Sequence, residues 1–111
     1  MGPHYSSWVK RGYANILAEF GKHEQAIEFI RRYVDSDFVN AGDRKGLSTV
    51  LIYSLIKTNQ LREAERRFSE FASSENPITA AQVNRIVSGG NKKSNFGDEV
   101  IAALRQVGLN D

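Results

Sequence analysis

The 111-residue chain is predicted to be all-α, with three stacked antiparallel helical hairpins forming a short right-handed α-solenoid. Three observations predict it. Apolar residues recur at helical spacing along almost the whole chain, with no competing two-residue alternation. Glycine, asparagine and proline punctuate those stripes where helices should stop. Positions in the first hairpin also return 38 residues later: Leu17 and Leu55, Gly21 and Asn59, Ala26 and Ala64, Ile30 and Phe68, Tyr33 and Phe71.

Met1-Gly2-Pro3-His4 has no pattern of its own, so residues 1–7 are expected to be an N-terminal extension, consistent with an expression-derived start, and are set aside. One repeat domain then spans 8–111, with hairpins at about 8–35, 44–73 and 79–107. Val9, Tyr13, Ile16, Leu17 and Phe20 fall on one face of a first helix, expected to face the core, and Gly21 ends it in a left-handed cap. Ala26, Ile27, Ile30, Tyr33 and Val34 form the second stripe, and Leu47, Val50, Leu51 and Leu55 the third. The third is the ambiguous one. Residues 48–56 (STVLIYSLI) are rich in β-branched types and suit a strand by propensity, but the Leu47/Leu51/Leu55 spacing favours a helix. Leu61, Ala64, Phe68, Phe71 and Ala72 make the fourth stripe, with a polar outer face. Pro77 breaks the chain, and Thr79 followed by Gln82 reads as a capping box opening a fifth helix to about Val87, which Gly89-Gly90 stops. Val100, Ile101, Leu104 and Val107 define a sixth, capped by Gly108. A residue opening a second helix sits close against the first, so small side chains at Ala26 and Ala64, and Val100 in a looser third copy, mark matching seams.

Composition removes several function classes. With 41% hydrophobic and 25% charged residues the chain is an ordinary globular sequence rather than a disordered one. It has no cysteine, which excludes disulfides, thiolate zinc sites and cysteine nucleophiles. Only His4 and His23 are available, too few to build a histidine metal site. No apolar run approaches the roughly 18 residues of a membrane span. Fifteen Lys and Arg against thirteen Asp and Glu leave a net charge of +2, so any affinity for nucleic acid has to come from local clustering.

The middle hairpin resembles a pentatricopeptide repeat: Leu51-Ile52, Leu55, Lys57, Leu61, Glu63-Ala64, Phe68 and Phe71 follow that family's LI pair in the first helix and EA…F series in the second. The segment 83–87 (VNRIV) with Phe96, Glu99-Val100, Leu104 and Val107 repeats the pattern with one residue inserted near Gly97. The first copy keeps Leu17, Gly21, Ala26, Ile30 and Tyr33 but lacks the LI pair. Tetratricopeptide repeats share the Gly-to-Ala spacing and remain an alternative family, as does an unrelated helical bundle. The pentatricopeptide resemblance implies binding of single-stranded RNA in a mitochondrion or plastid. It maps the family's recognition position, just before the LI pair, onto Arg11, Thr49 and Asn84. The partner position at the repeat end maps onto Arg44 and Thr79. Thr49 and Asn84 suit the edge of a splayed base. Arg11, Arg44 and Thr79 depart from the family's usual choices, where Asp or Asn closes the repeat.

Other candidates come from the residues alone. Lys92-Lys93, in the Gly- and Asn-rich stretch 89–97, fits a phosphate-contacting loop as well as a solvated connection, and it lacks the Gly-Lys-Ser/Thr end of a P-loop. Arg44-Lys45 is a basic point ahead of the third helix, near the expected recognition face. Arg31-Arg32 and Arg66-Arg67 occupy similar places on second helices, and nearby Glu28, Glu63 and Glu70 favour ordinary intrahelical pairs. Trp8, with Tyr5, seals the core end or stacks on a base. Asp35, Asp37 and Asp43 do not have calcium-loop spacing. No hydrolase, zinc-protease or dinucleotide motif occurs, so the expectation is an intracellular, non-enzymatic binding module without cofactor or metal. Its ligand is expected to be single-stranded RNA, contacted by Arg11, Arg44, Lys45, Thr49, Thr79, Asn84, Lys92 and Lys93. The alternatives are a tetratricopeptide-like scaffold gripping a peptide or helix, and a small DNA-binding or regulatory domain that reads through Lys92-Lys93.

Overall fold

A computed structural model describes residues 7–36, 39–72, 77–88 and 95–110. Those residues form six helices and no strand: α1 (Ser7–Glu19), α2 (His23–Tyr33), α3 (Ala41–Lys57), α4 (Leu61–Ala72), α5 (Ala80–Ser88) and α6 (Phe96–Arg105). No described helix is long and apolar enough to cross a membrane.

The organising element is α3, the segment whose composition also suited a strand. Every residue from Lys45 to Ile56 is buried, because α1, α2, α4, α5 and α6 all pack on it. A helix covered on all sides needs no polar face, which is why STVLIYSLI looks like a buried strand by residue type. Its polar residues are satisfied internally. The Thr49 hydroxyl donates to the Lys45 carbonyl at 2.8 Å, and the Ser54 hydroxyl lies 3.2 Å from Nδ1 of His23. The helix starts at Ala41, ahead of the expected boundary, because Asn40 caps it. The Asn40 side-chain oxygen accepts from the Asp43 amide at 2.8 Å, and its Nδ2 donates to the Asp43 carboxylate at 3.0 Å.

Two positions 38 residues apart end their helices in the same way. Gly21 and Asn59 both take positive φ, +79° and +62°, at the ends of α1 and α3. Each turn is closed by the same pair of bonds. Lys22 and Gln60 amides reach Leu17 and Leu55 carbonyls at 2.8 Å, and Gly21 and Asn59 amides reach Ala18 and Ile56 at 3.1 Å. That is the Schellman arrangement, which consumes carbonyls a helix end would otherwise leave unpaired. The seam residues Ala26, Ala64 and Val100 are all fully buried. Nη2 of Arg31 on α2 reaches both carboxylate oxygens of Glu63 on α4, at 2.7 and 2.8 Å, an exposed interhelical pair where an intrahelical one was expected. Arg32 does make the intrahelical bond, to Glu28 at 3.2 Å. At α5 the capping box forms as expected: the Thr79 amide donates to Oε1 of Gln82 and the Gln82 amide to Oγ1 of Thr79, both at 3.3 Å.

Two features depart from the sequence expectation. On α1 the buried face is Lys10, Ala14, Leu17 and Ala18, while Tyr13, Ile16 and Phe20 point outward at 43%, 53% and 73% exposure. The helix carries more apolar residues than one face can hold, and the small Ala14 and Ala18 allow the closer approach. Lys10 is fully buried, its ammonium 4.9 Å from the centre of the Tyr33 ring, a cation–π contact that periodicity does not reveal. The third hairpin departs too. Both α5 and α6 lie on α3, and α5 also reaches α1, where Nδ2 of Asn15 donates to the Ile86 carbonyl at 3.1 Å. Gly46 permits that closure. A Cβ there would run into the Arg11 side chain and meet Cγ2 of Ile86 at 3.3 Å.

Candidate functional site

Where α1, the first turns of α3 and one side of α5 meet, Arg11, Gly42, Lys45, Gln82, Arg85 and Ile86 line a cleft of about 310 Å³. Its walls follow from the packing just described. The absence of a side chain at Gly46 lets the Arg11 stem lie over α3, and the Asn15–Ile86 bond sets α5 beside α1. The capping box fixes Gln82, turning its amide oxygen back to Thr79.

The cleft is cationic. Arg11 pairs with Asp43, Nη1 to Oδ1 at 3.0 Å, and the other Asp43 oxygen accepts from Asn40, so both oxygens of that carboxylate are occupied. Lys45 is buried at the cleft floor, and that desolvation lowers its pKa below the usual lysine value. Arg85 is exposed and has no ion-pair partner among the described residues. The first turn of α3, through Gly42, lines the cleft, and the positive end of that helix adds to its potential. Such an arrangement attracts anions, phosphate oxygens in particular, because guanidinium and ammonium donors make short charge-assisted bonds to them.

The chain matches no protein-family model, no curated protein and no solved structure.

Of the residues expected to touch RNA, the fold brings Arg11 and Lys45 together in the cleft, with Thr79 just outside it as the cap of α5. The others are placed differently. Thr49 is fully enclosed and its hydroxyl is spent on the Lys45 carbonyl, so as placed it offers no group to a ligand. Arg44 is a clamp on the α2–α3 connection: Nε donates to the Val34 carbonyl at 2.9 Å, and Nη2 to Ser36 and Val39 at 3.0 and 3.2 Å. Asn84 is exposed on the side of α5 that faces α6, its carboxamide lying where a Cβ on Gly97 would sit. Lys92 and Lys93 lie outside the described residues, as do Tyr5 and Asp37 and the Trp8 side chain. Arg85 was missed, and a signal for it existed. The third copy follows the second at a step of 35 or 36 residues, which leads from Thr49 to Asn84 or to Arg85. On a helix that single residue is about 100° of rotation, enough to move a side chain from the α6 side to the cleft.

A second polar group surrounds His23. Its ring meets Tyr53 edge-on at 5.5 Å, Tyr53 meets Phe96 at 5.4 Å, and the Lys57 ammonium lies 5.7 Å from the Tyr53 ring centre. Burial, then the Lys57 charge, lowers the His23 pKa. Burial, then Glu99, raises that of Tyr53. Ser54 is fully buried, so the His23–Ser54 contact ties α2 to α3 and does not present a nucleophile to solvent.

Proposed function

We propose that this chain is a non-enzymatic helical-repeat module that binds single-stranded RNA through its backbone phosphates, with Arg11, Lys45 and Arg85 as the contacts. The observation that supports this is the convergence of those three cations in one cleft between the first helices of the three hairpins. The pentatricopeptide-like pattern of the middle hairpin points to the same ligand and, on that resemblance, to an organelle. In this reading the hairpins are a solenoid segment whose third unit closes over α3, and Thr79 borders the path of the strand while Asn84, on the α6 side, does not.

The test is a fluorescence-anisotropy titration with single-stranded RNA and with duplex DNA at two salt concentrations. RNA affinity is expected to fall steeply with salt, and Arg85→Glu to weaken it on the order of ten-fold while lowering the salt slope by about one. Salt-insensitive binding, or binding untouched by Arg85→Glu, would remove the cleft from the account.

A second reading has its own observation. Tyr13, Ile16 and Phe20 form an outward apolar stripe on α1, which suits a scaffold for a peptide or helix. It predicts indifference to RNA and a protein partner lost on Phe20→Ser.

A further inference from the structure

Independently of the RNA reading, we infer that the outer face of α1 pairs with the same face of a second copy of this chain, the two helices running antiparallel and meeting at Ile16. The face carries Val9, Tyr13, Ile16 and Phe20 at helical spacing and no charged residue among them. Ile16 and Phe20 are exposed. The Tyr13 ring is braced from below, edge-on to Phe29 at 4.9 Å.

Gly12 is the first argument for an occupant. Glycine inside a helix is destabilising relative to alanine, so it calls for a packing reason. Gly46 has one, because a Cβ there would run into the Arg11 side chain. Gly12 lies in the middle of α1 and has none within the chain: a Cβ there would meet nothing within 4 Å. It leaves a notch beside Tyr13 and Ile16, and the reason for that notch lies outside the chain.

The second argument is that the face is its own complement. Gly12 and Phe20 stand at equal distances from Ile16, about 6 Å along the helix on either side. With Ile16 on a two-fold axis, each Phe20 falls over the partner's Gly12, as a knob in the hole bounded by Val9, Gly12, Tyr13 and Ile16. A notch and a knob placed symmetrically on one face fit a second copy better than an unrelated peptide.

The matched face of α3 shows what such a surface receives. Tyr13 and Ile16 correspond to Leu51 and Ser54, both fully buried, and Ser54 meets His23 of α2 at 3.2 Å. On α3 a neighbouring helix covers the face, and on α1 the second copy takes that place. Arg11 lies about 140° around α1 from Ile16, so the pairing leaves the cationic cleft open. One 13-residue helix from each copy makes a small interface, below the roughly 1,200 Å² of stable complexes. The dimer is therefore weak, assembled in concentrated solution and dissociated in dilute solution.

The test is sedimentation equilibrium of the full chain from micromolar to millimolar concentration. The average mass is expected to climb from 12.4 kDa toward twice that value. Phe20→Ser removes the knob and Gly12→Leu fills the hole, and each is expected to weaken self-association by about ten-fold or more. Both changes face solvent in the single chain, so circular dichroism and the thermal midpoint in dilute solution are expected to hold or, for Gly12→Leu, to improve. A monomer at every concentration overturns the proposal, as does a dimer that neither substitution weakens. Sensitivity to Phe20→Ser with indifference to Gly12→Leu overturns the Gly12 hole, and masses that grow beyond the dimer overturn the two-fold arrangement.

Discussion

Helices α1 and α3 hold the same place in the 38-residue recurrence and end in the same turn, yet they have opposite surroundings. The second is buried along twelve consecutive residues, Lys45 to Ile56, whereas the first leaves Ile16 and Phe20 in solvent and Tyr13 partly exposed against the Phe29 ring. The difference shows what a repeat does and does not determine. Turn chemistry is local, so equivalent residues reproduce it. Burial depends on how many neighbours an element receives, and only α3 receives all five other helices.

The largest test of that contrast is truncation of one apolar residue on each helix. Leu51→Ala, at the enclosed centre of α3, is expected to cost about 2–5 kcal/mol in chemical denaturation. Ile16→Ala on the outer face of α1 is expected to stay within about 0.5 kcal/mol. Comparable losses at the two sites would mean that α1 is covered in solution. The turns give the next effect. Gly21→Ala forces a Cβ into the left-handed region and is expected to cost on the order of 1–2 kcal/mol, while Asn59→Gly costs nothing or stabilises, both read as shifts in thermal midpoint. A stabilising Gly21→Ala or a destabilising Asn59→Gly would deny that both turns rest on the left-handed backbone. Thr79→Ala, which dismantles the capping box, is expected to cost about 1 kcal/mol.

The smallest effect is on pH. The folded His23 pKa lies below its ordinary 6.5, so above pH 6.5 the folded and unfolded states are both neutral there and the His23 contribution is complete. As pH falls from 6.5 through the lowered folded value, the unfolded chain takes up the proton first and stability drops. His23→Gln is expected to flatten that part of the profile, and an unchanged slope would place its origin elsewhere.

Much of this fold is legible in the residues. Helical spacing gives the six elements, Gly21 and Asn59 give the turns, and Thr79 with Gln82 gives the start of α5. What the sequence hides is the tertiary choice. An amphipathic stripe shows that a helix has an apolar side, but α1 has apolar residues on more than one side, and neither periodicity nor propensity says which packs. The start of α3 was hidden because Asn40 and Asp43 make their cap across a boundary where no apolar stripe begins. The candidate site was half visible. Arg11 was reached through a family pattern and Lys45 through the Arg44-Lys45 pair, but only three-dimensional packing shows that Thr49 faces the core, that Arg44 is spent on loop carbonyls, and that Arg85 shares the cleft.

The most direct test is an amide-resolved NMR titration of the labelled chain with single-stranded RNA. Chemical-shift changes are expected to cluster at Arg11, Gly42, Lys45, Gln82 and Arg85, saturate together, and shrink on adding salt. Changes confined to the Tyr13–Ile16–Phe20 side of α1, or a spectrum that RNA leaves untouched, would contradict the cleft as the binding site.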